Sequence, residues 1–259
     1  MMQVPGKIRI LLLIGAFSLL TVSFARAFVP ITPHLVQLVV GKIKRPTGLE
    51  ANQTTRVLTA GPEGKEAYEV KEHIIYSFPG KLRCETVSSF SPENRMVTVV
   101  SGDRFVKIVD GTLESTGRSV MDYYTDILLF RDRELLEKRF EKIGVDFSRS
   151  SIQRHNDRIC FVVGEPPEEN APSSSFWVDK DSLLPVRYTV AKEERFVDIR
   201  YRNWQKESRT WYPMRIETFL DKELFSVIDV ASFSLETGFD SSLFDIDRMM
   251  QQAEKPLKE

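Results

Sequence analysis

The sequence predicts a mainly antiparallel β protein of the α+β class: a single curled sheet of about eleven strands, with about three helices packed on one face. Three observations carry this reading. Apolar side chains recur at period two in many short segments bounded by Gly, Pro, Asn, Asp or Ser. Helical periodicity is confined to one stretch near the N-terminus and one insert in the middle. No linker is long enough to divide the chain, so the two β runs flanking the insert most simply make one sheet.

Residues 1–27 read as an export signal. Lys7 and Arg9 precede an apolar run from Ile10 to Leu20, and Ala25-Arg26-Ala27 places small residues at −3 and −1 of a cut after Ala27. The run is shorter than the roughly 20 apolar residues a spanning helix needs. The expected product is therefore periplasmic, with a domain over residues 28–247 and a polar tail over 248–259. Thr32 and Pro33 stand as N-cap and N1 of a helix to about Lys44, with Leu35, Val36, Leu38, Val39 and Ile43 as its apolar stripe. A strand over Leu49–Leu58 and a turn at Gly61-Pro62-Glu63-Gly64 follow. In the next strand Tyr68, Val70, Ile74, Tyr76 and Phe78 share one face, interrupted by Glu72, while Glu69, Lys71, His73 and Ser77 share the other. Pro79-Gly80 turns the chain into Lys81–Ser88, and Gly102-Asp103 joins Met96–Ser101 to Arg104–Asp110 as a hairpin.

The middle then changes period. Met121–Phe130 and Asp132–Ile143 read as helices, the second capped by Asp132 and stopped by Gly144. Strands resume at Arg158–Val163, Ser175–Asp179, Leu184–Ala191, Arg195–Trp204, Thr210–Leu220 and Leu224–Leu235. The polar, proline-rich stretch 164–174 reads as a mobile loop, and the chain beyond Asp247 as a frayed tail.

Composition excludes several functions. With 42% hydrophobic and 28% charged residues the chain is an ordinary globule, and a net charge of −1 argues against a nucleic-acid binder. Without residues 1–27, which carry three basic side chains and no acid, the balance is more acidic still. No nucleophile elbow, zinc-protease helix, phosphate loop or dinucleotide fingerprint is present, and His34, His73 and His155 have no metal-ligand spacing. A non-catalytic protein without cofactor or metal is expected. Cys84 and Cys160 in an oxidising compartment permit a disulfide, and two buried free thiols are equally ordinary.

What the sequence has in surplus is apolar side chains on alternating strands, with few helices to cover them. A curled sheet whose concave side is incompletely filled offers an apolar cavity. Its expected lining is Tyr68, Val70, Ile74, Tyr76 and Phe78, then Val186 and Tyr188, then Val197, Ile199 and Tyr201, and finally Tyr212, Met214 and Ile216. The same residues could instead fill a closed core. Trp177, Trp204 and Trp211 fit core, rim or partner contacts alike.

An ordered set of short motifs resembles the LolA/LolB-type outer-membrane lipoprotein-sorting family. Tyr76-x-Phe78-Pro79-Gly80-Lys81-Leu82-Arg83-x-Glu85 comes first, then the turns Gly102-Asp103 and Asp110-Gly111 and a helix ending at Gly144-Val145-Asp146. Phe176-Trp177-Val178-Asp179 with Pro185-Val186-Arg187, Tyr212-Pro213-x-Arg215-Ile216, and Phe239 with Phe244-Asp245 complete it. The resemblance spans most of residues 32–247. It implies an incomplete antiparallel β-barrel whose concave side is lidded by helices and takes up acyl chains. In the carrier proper of that family a basic residue just before the strand-turn proline helps hold the lid; here Phe78 stands there, with Lys81 and Arg83 beyond the proline.

Two functions follow. The first is a monomeric periplasmic carrier for lipid or lipoprotein acyl chains, with Lys81, Arg83 or Arg187 near the mouth for a head group. The second is an envelope interaction or sensor module that binds a protein partner, such as a membrane-protein complex. The first expects an open apolar cavity; the second expects a filled one and an exposed aromatic patch around Trp204 and Trp211.

Overall fold

Three strands of 14 residues each, β1 (Gly48–Gly61), β2 (Gly64–Ser77) and β13 (Glu223–Glu236), form the spine of the structure. A computed structural model describes residues 30–61, 64–88, 94–192 and 194–253. The expected export signal, its cut after Ala27, the centre of the first hairpin turn and the end of the tail lie outside the described residues.

Helix α1 (Thr32–Ile43) precedes β1. After β2 come β3 (Lys81–Ser88), β4 (Arg95–Ser101), β5 (Arg104–Val109) and β6 (Thr112–Ser115). A 3-10 turn (Val120–Asp122), α2 (Thr125–Leu129) and α3 (Arg133–Lys142) form the insert. The chain returns through β7 (Ser150–His155), β8 (Arg158–Gly164), β9 (Ser175–Asp179), β10 (Pro185–Lys192), β11 (Arg195–Glu207), β12 (Thr210–Leu220) and β13. A second 3-10 turn (Ser241–Phe244) and α4 (Ile246–Gln252) follow. All strands among the described residues lie in one antiparallel sheet of 13 in the order β6-β5-β4-β3-β2-β1-β13-β12-β11-β10-β9-β8-β7. Two meanders meet at the β1–β13 seam, and the open edges are β6 and β7. The sheet does not close into a barrel.

Those two edges are the strands missing from the sequence-based count. Thr-Leu-Glu-Ser and Ser-Ser-Ile-Gln-Arg-His are short and polar because an edge strand has little apolar surface to bury. Other elements shift by smaller amounts. Helix α1 begins at Thr32 with Ile31 as N-cap, one residue early, and makes no side-chain cap bond. The helix expected over Met121–Phe130 is split at Tyr123–Tyr124 into the 3-10 turn and α2. The segment expected to fray beyond Asp247 continues as α4, with Asp245 accepting from the Arg248 amide at its start. The 164–174 loop is tied down at its end, where Ser174 Oγ donates to the Ile143 carbonyl at 2.8 Å and accepts from the Ala191 amide at 3.1 Å. Gly164 has φ +87°, and a Cβ there would stand 2.7 Å from the Ser174 carbonyl oxygen, so only glycine fits that entry.

The main core lies on the concave face. Leu35, Val36, Val39 and Ile43 of α1, Ile127–Leu129 of α2, and Leu136 and Phe140 of α3 pack there against inward side chains of both meanders. On the convex face, Phe244 and Ile246 of the C-terminal segment cover Val99 and Val106, and Trp177 gathers Cys160, Val162 and Val186. Cys84 and Cys160 are free thiols, one within the concave core and one in the convex Trp177 cluster, with the sheet between them. The disulfide that composition permits does not form.

Candidate functional site

Side chains along a strand alternate faces, so residues paired across neighbouring strands form transverse rungs. Four such rungs cross the inner face of β1–β5. The deepest joins Leu49, Tyr76, Leu82, Val100 and Phe105; the next joins Ala51, Ile74, Cys84, Thr98 and Lys107. The third joins Gln53, Glu72, Thr86, Met96 and Val109, and the outermost joins Thr55, Val70 and Ser88. Ser119–Thr125 passes over these rungs without filling the space, leaving a cavity of about 350 Å³ between sheet and insert. Val57, Val70, Leu82, Met96, Phe105 and Met121 supply much of its apolar wall.

Its floor carries one acid. Glu72 is the residue that breaks the apolar alternation of β2, and its carboxylate accepts from Gln53 Nε2 at 2.7 Å and from the Thr55 hydroxyl. The Cys84 thiol lies 3.9 Å from its other oxygen, and no cation pairs with it among the described residues. Burial pushes the Glu72 carboxyl above its ordinary range, with Asp122 adding like-charge repulsion and the hydrogen bonds from Thr55 and Gln53 opposing. Burial likewise raises the Cys84 thiol well above its usual value, aided by Glu72, so this thiol is no nucleophile at neutral pH.

The sign of the Glu72 effect is definite. The native state keeps the Glu72 proton to higher pH than the unfolded chain, which releases it near ~4.3. Stability is therefore lost as pH rises from that value through the raised native one. Glu72→Gln should be more stable than the parent at neutral pH, the gap closing at about pH 4, where both residues are uncharged. Denaturant unfolding at both pH values checks this; an equal gap at the two would show that the carboxyl is not its cause.

Of the expected lining, Tyr68 and Val70 do face this cavity. Ile74, Tyr76, Tyr188, Val197, Ile199, Tyr201, Tyr212 and Ile216 are wholly or almost wholly buried in the core, and Phe78 and Met214 pack partly buried against it. The helices consume their apolar surface: α1, together with α2 and α3 of the insert, seals most of the concave side. A register shift between Pro185 and Arg187 on β10 reverses the alternation, so Val186 joins Trp177 on the convex face.

The three basic residues expected at the mouth are also elsewhere. Arg83 lies on the convex side, donating to Glu85 at 2.8 Å and to the Leu243 carbonyl at 3.3 Å, so it holds the C-terminal segment. Lys81 shares its face by alternation. Arg187 makes a bidentate pair with Asp198, at 2.9 and 3.0 Å, and stacks 5.0 Å from the Trp177 ring. The cations that line the cavity are Arg95 and Lys107.

Arg131 holds the helices over the sheet. Its side chain is almost wholly buried and has no acidic partner among the described residues: Nε donates to the Leu128 carbonyl at 3.0 Å, and Nη1 to those of Ile43 at 3.4 Å and Lys44 at 3.2 Å. The guanidinium lies over the rings of Phe78 and Tyr212, at 5.5 and 5.9 Å. Burial lowers it to about 10, with Tyr212 and Tyr76 opposing, so it is charged at neutral pH. Phe78 thus meets its cation from the insert.

Among the described residues no group of three or more His, Cys, Asp or Glu could hold a metal ion, and no helix is long and apolar enough to cross a membrane. No family model and no curated protein matches the chain. Solved structures do. A domain described provisionally as an outer-membrane lipoprotein-sorting protein, from Vibrio parahaemolyticus, is similar with a TM-score of 0.55 and 9% identity, over 84% of this chain and 97% of that one. A LolA superfamily protein from Nitrosomonas europaea has a TM-score of 0.54 and 12% identity, over 85% and 100%. A DUF1329 family protein from Desulfovibrio piger has a TM-score of 0.55 and 12% identity, over 85% and 98%. Identities this low establish the fold, which is LolA-like.

Proposed function

We propose that this LolA-like chain is a non-catalytic carrier, exported to the periplasm by residues 1–27, that holds an acyl chain of a lipid or lipoprotein in the cavity beneath Ser119–Thr125. The cavity is the observation that carries the reading: it stays open while the rest of the concave side is packed. Each CH₂ moved from water into such a site gains ~0.8 kcal/mol without directional contacts, which suits a ligand that must be taken up and given away. A volume of about 350 Å³ lies near the lower end of the ~300–1,000 Å³ of small-molecule sites, which favours one chain over several. Lys107, on the inner rung with Cys84 and Thr98, is placed to meet an acidic head group.

The alternative, an envelope interaction module, expects a filled cavity and an exposed aromatic patch. Trp204 and Trp211 are instead part-buried against the core, and Trp204 Nε1 donates to the Pro185 carbonyl at 2.9 Å. These observations support the carrier reading.

Native mass spectrometry of the protein purified from its own periplasm, followed by organic extraction, should find an acyl-containing molecule at one per chain. Val70→Trp, which fills the cavity from β2, should weaken uptake of a fluorescent fatty acid about tenfold or more while melting stays within a few degrees. Uptake unchanged by that substitution would sink the reading.

A further inference from the structure

The convex face carries a second pocket, of about 360 Å³, where the β7–β8 and β9–β10 turns meet the middle of β11. It is on the opposite side of the sheet from most of the core and does not depend on the carrier reading. Arg158, Arg200, Arg202, His155, Asn156 and Ser182 line it, and no Asp or Glu does. Arg200 and Arg202 are two residues apart on one face of β11, and Arg158 reaches in from the start of β8.

Carboxylates beside the pocket orient these arginines without using up their donors. Arg200 gives Nε and Nη2 to Asp198 at 3.3 and 2.9 Å and lies 4.0 Å from the Phe219 ring. Arg202 gives Nε to Glu217 at 2.9 Å, and Arg158 Nη1 lies 3.6 Å from Asp179. Their remaining guanidinium N–H groups have no hydrogen-bond partner among the described residues. Glu217 is shared with Arg215, which has Asp229 as a second partner, but Asp198 serves both Arg187 and Arg200, so the pairing leaves one positive charge in excess. Guanidinium forks match the oxygens of a tetrahedral dianion, and several converging on one volume fit phosphate better than a single carboxylate.

We propose that this pocket is an anion site in which Arg158, Arg200 and Arg202 bind a phosphate group, either free or carried by a lipid head group. The state of His155 agrees. Burial, and then the charges of Arg187, Arg200 and Arg202, lower it to about 4, so it is neutral and leaves the pocket's charge to the arginines.

The test titrates the protein with inorganic phosphate by calorimetry, following the His155 ring by NMR. A parallel arm sediments the protein with phosphatidylcholine vesicles made with and without phosphatidic acid. Saturable phosphate binding that raises the His155 pKa and is weakened about tenfold in R200Q/R202Q and in R158Q identifies a free anion as ligand. Binding only to the phosphatidic acid vesicles, weakened in the same variants, identifies a lipid phosphate. Arg158 is 63% exposed and its one carboxylate contact is long, so R158Q leaves the fold intact and decides alone if the double variant does not fold. Absence of binding in both arms, or binding that R158Q leaves unchanged, overturns the proposal.

Discussion

Asp126→Ala should destabilise the protein by about 3–5 kcal/mol and lower its melting temperature by roughly 10 °C. Asp126 is 0% exposed at the start of α2, where its carboxylate accepts from Arg118 Nη1 at 2.6 Å, Arg139 Nε at 2.8 Å and the Tyr188 hydroxyl at 3.0 Å. It joins the loop before the 3-10 turn, helix α3 and strand β10, and so clamps the insert to the C-terminal meander. Alanine would leave two mostly buried guanidiniums without a counter-charge, and that uncompensated charge sets the size of the loss. Asp126→Asn keeps the shape and should still lose most of the stability, because an amide cannot neutralise two cations. Replacing Arg118, Asp126 and Arg139 together by Met, Leu and Met should cost far less than Asp126→Ala. Chemical denaturation of these variants checks the ranking; a mild effect of alanine would mean that water replaces the carboxylate and the clamp is weak.

The alternation that predicts the strands also places part of the site. Leu82 and Cys84 point inward, so Lys81 and Arg83 had to point outward; their distance from the cavity follows from period two alone. Glu72, which breaks the apolar face of β2, was the one sequence signal that marked the cavity floor. Inward positions on β3, β4 and β5, from Leu82 to Val109, could have been assembled by the same rule once the hairpin registers were assumed. Other features were beyond that rule. The bulge that turns Val186 outward has no mark in its residues, and the burial of Tyr76, Tyr188 and Tyr212 depends on where the helices dock. Periodicity tells which face of a strand is apolar; it does not tell which elements from distant sequence cover that face. The edge strands β6 and β7 were hidden for the opposite reason, since half-exposed polar segments leave no apolar pattern.

Arg131→Met should release helix α1 before it unfolds the protein. In the native state Arg131 donates to the carbonyls of Ile43 and Lys44 at the C-terminal end of α1, where helix carbonyls lack partners of their own and a positive charge is favoured. Methionine fills the volume and avoids burying a charge, which offsets part of the loss, so global stability should fall by only about 1–3 kcal/mol. The freed carbonyls must then take water as their partner, which loosens the C-terminal end of α1. Amide exchange within α1 should therefore accelerate about tenfold or more relative to the β1–β13 seam. Arg131→Lys should resemble methionine, because an ammonium cannot reach carbonyls of two helices while stacking on two rings. No residue of α1 lines the cavity beneath Ser119–Thr125, so under the carrier reading both variants should load a fluorescent fatty acid at the parent's rate. Unchanged exchange in α1 would show that the apolar stripe of Leu35, Val36, Val39 and Ile43 holds the helix by itself, and that the buried arginine is not the latch.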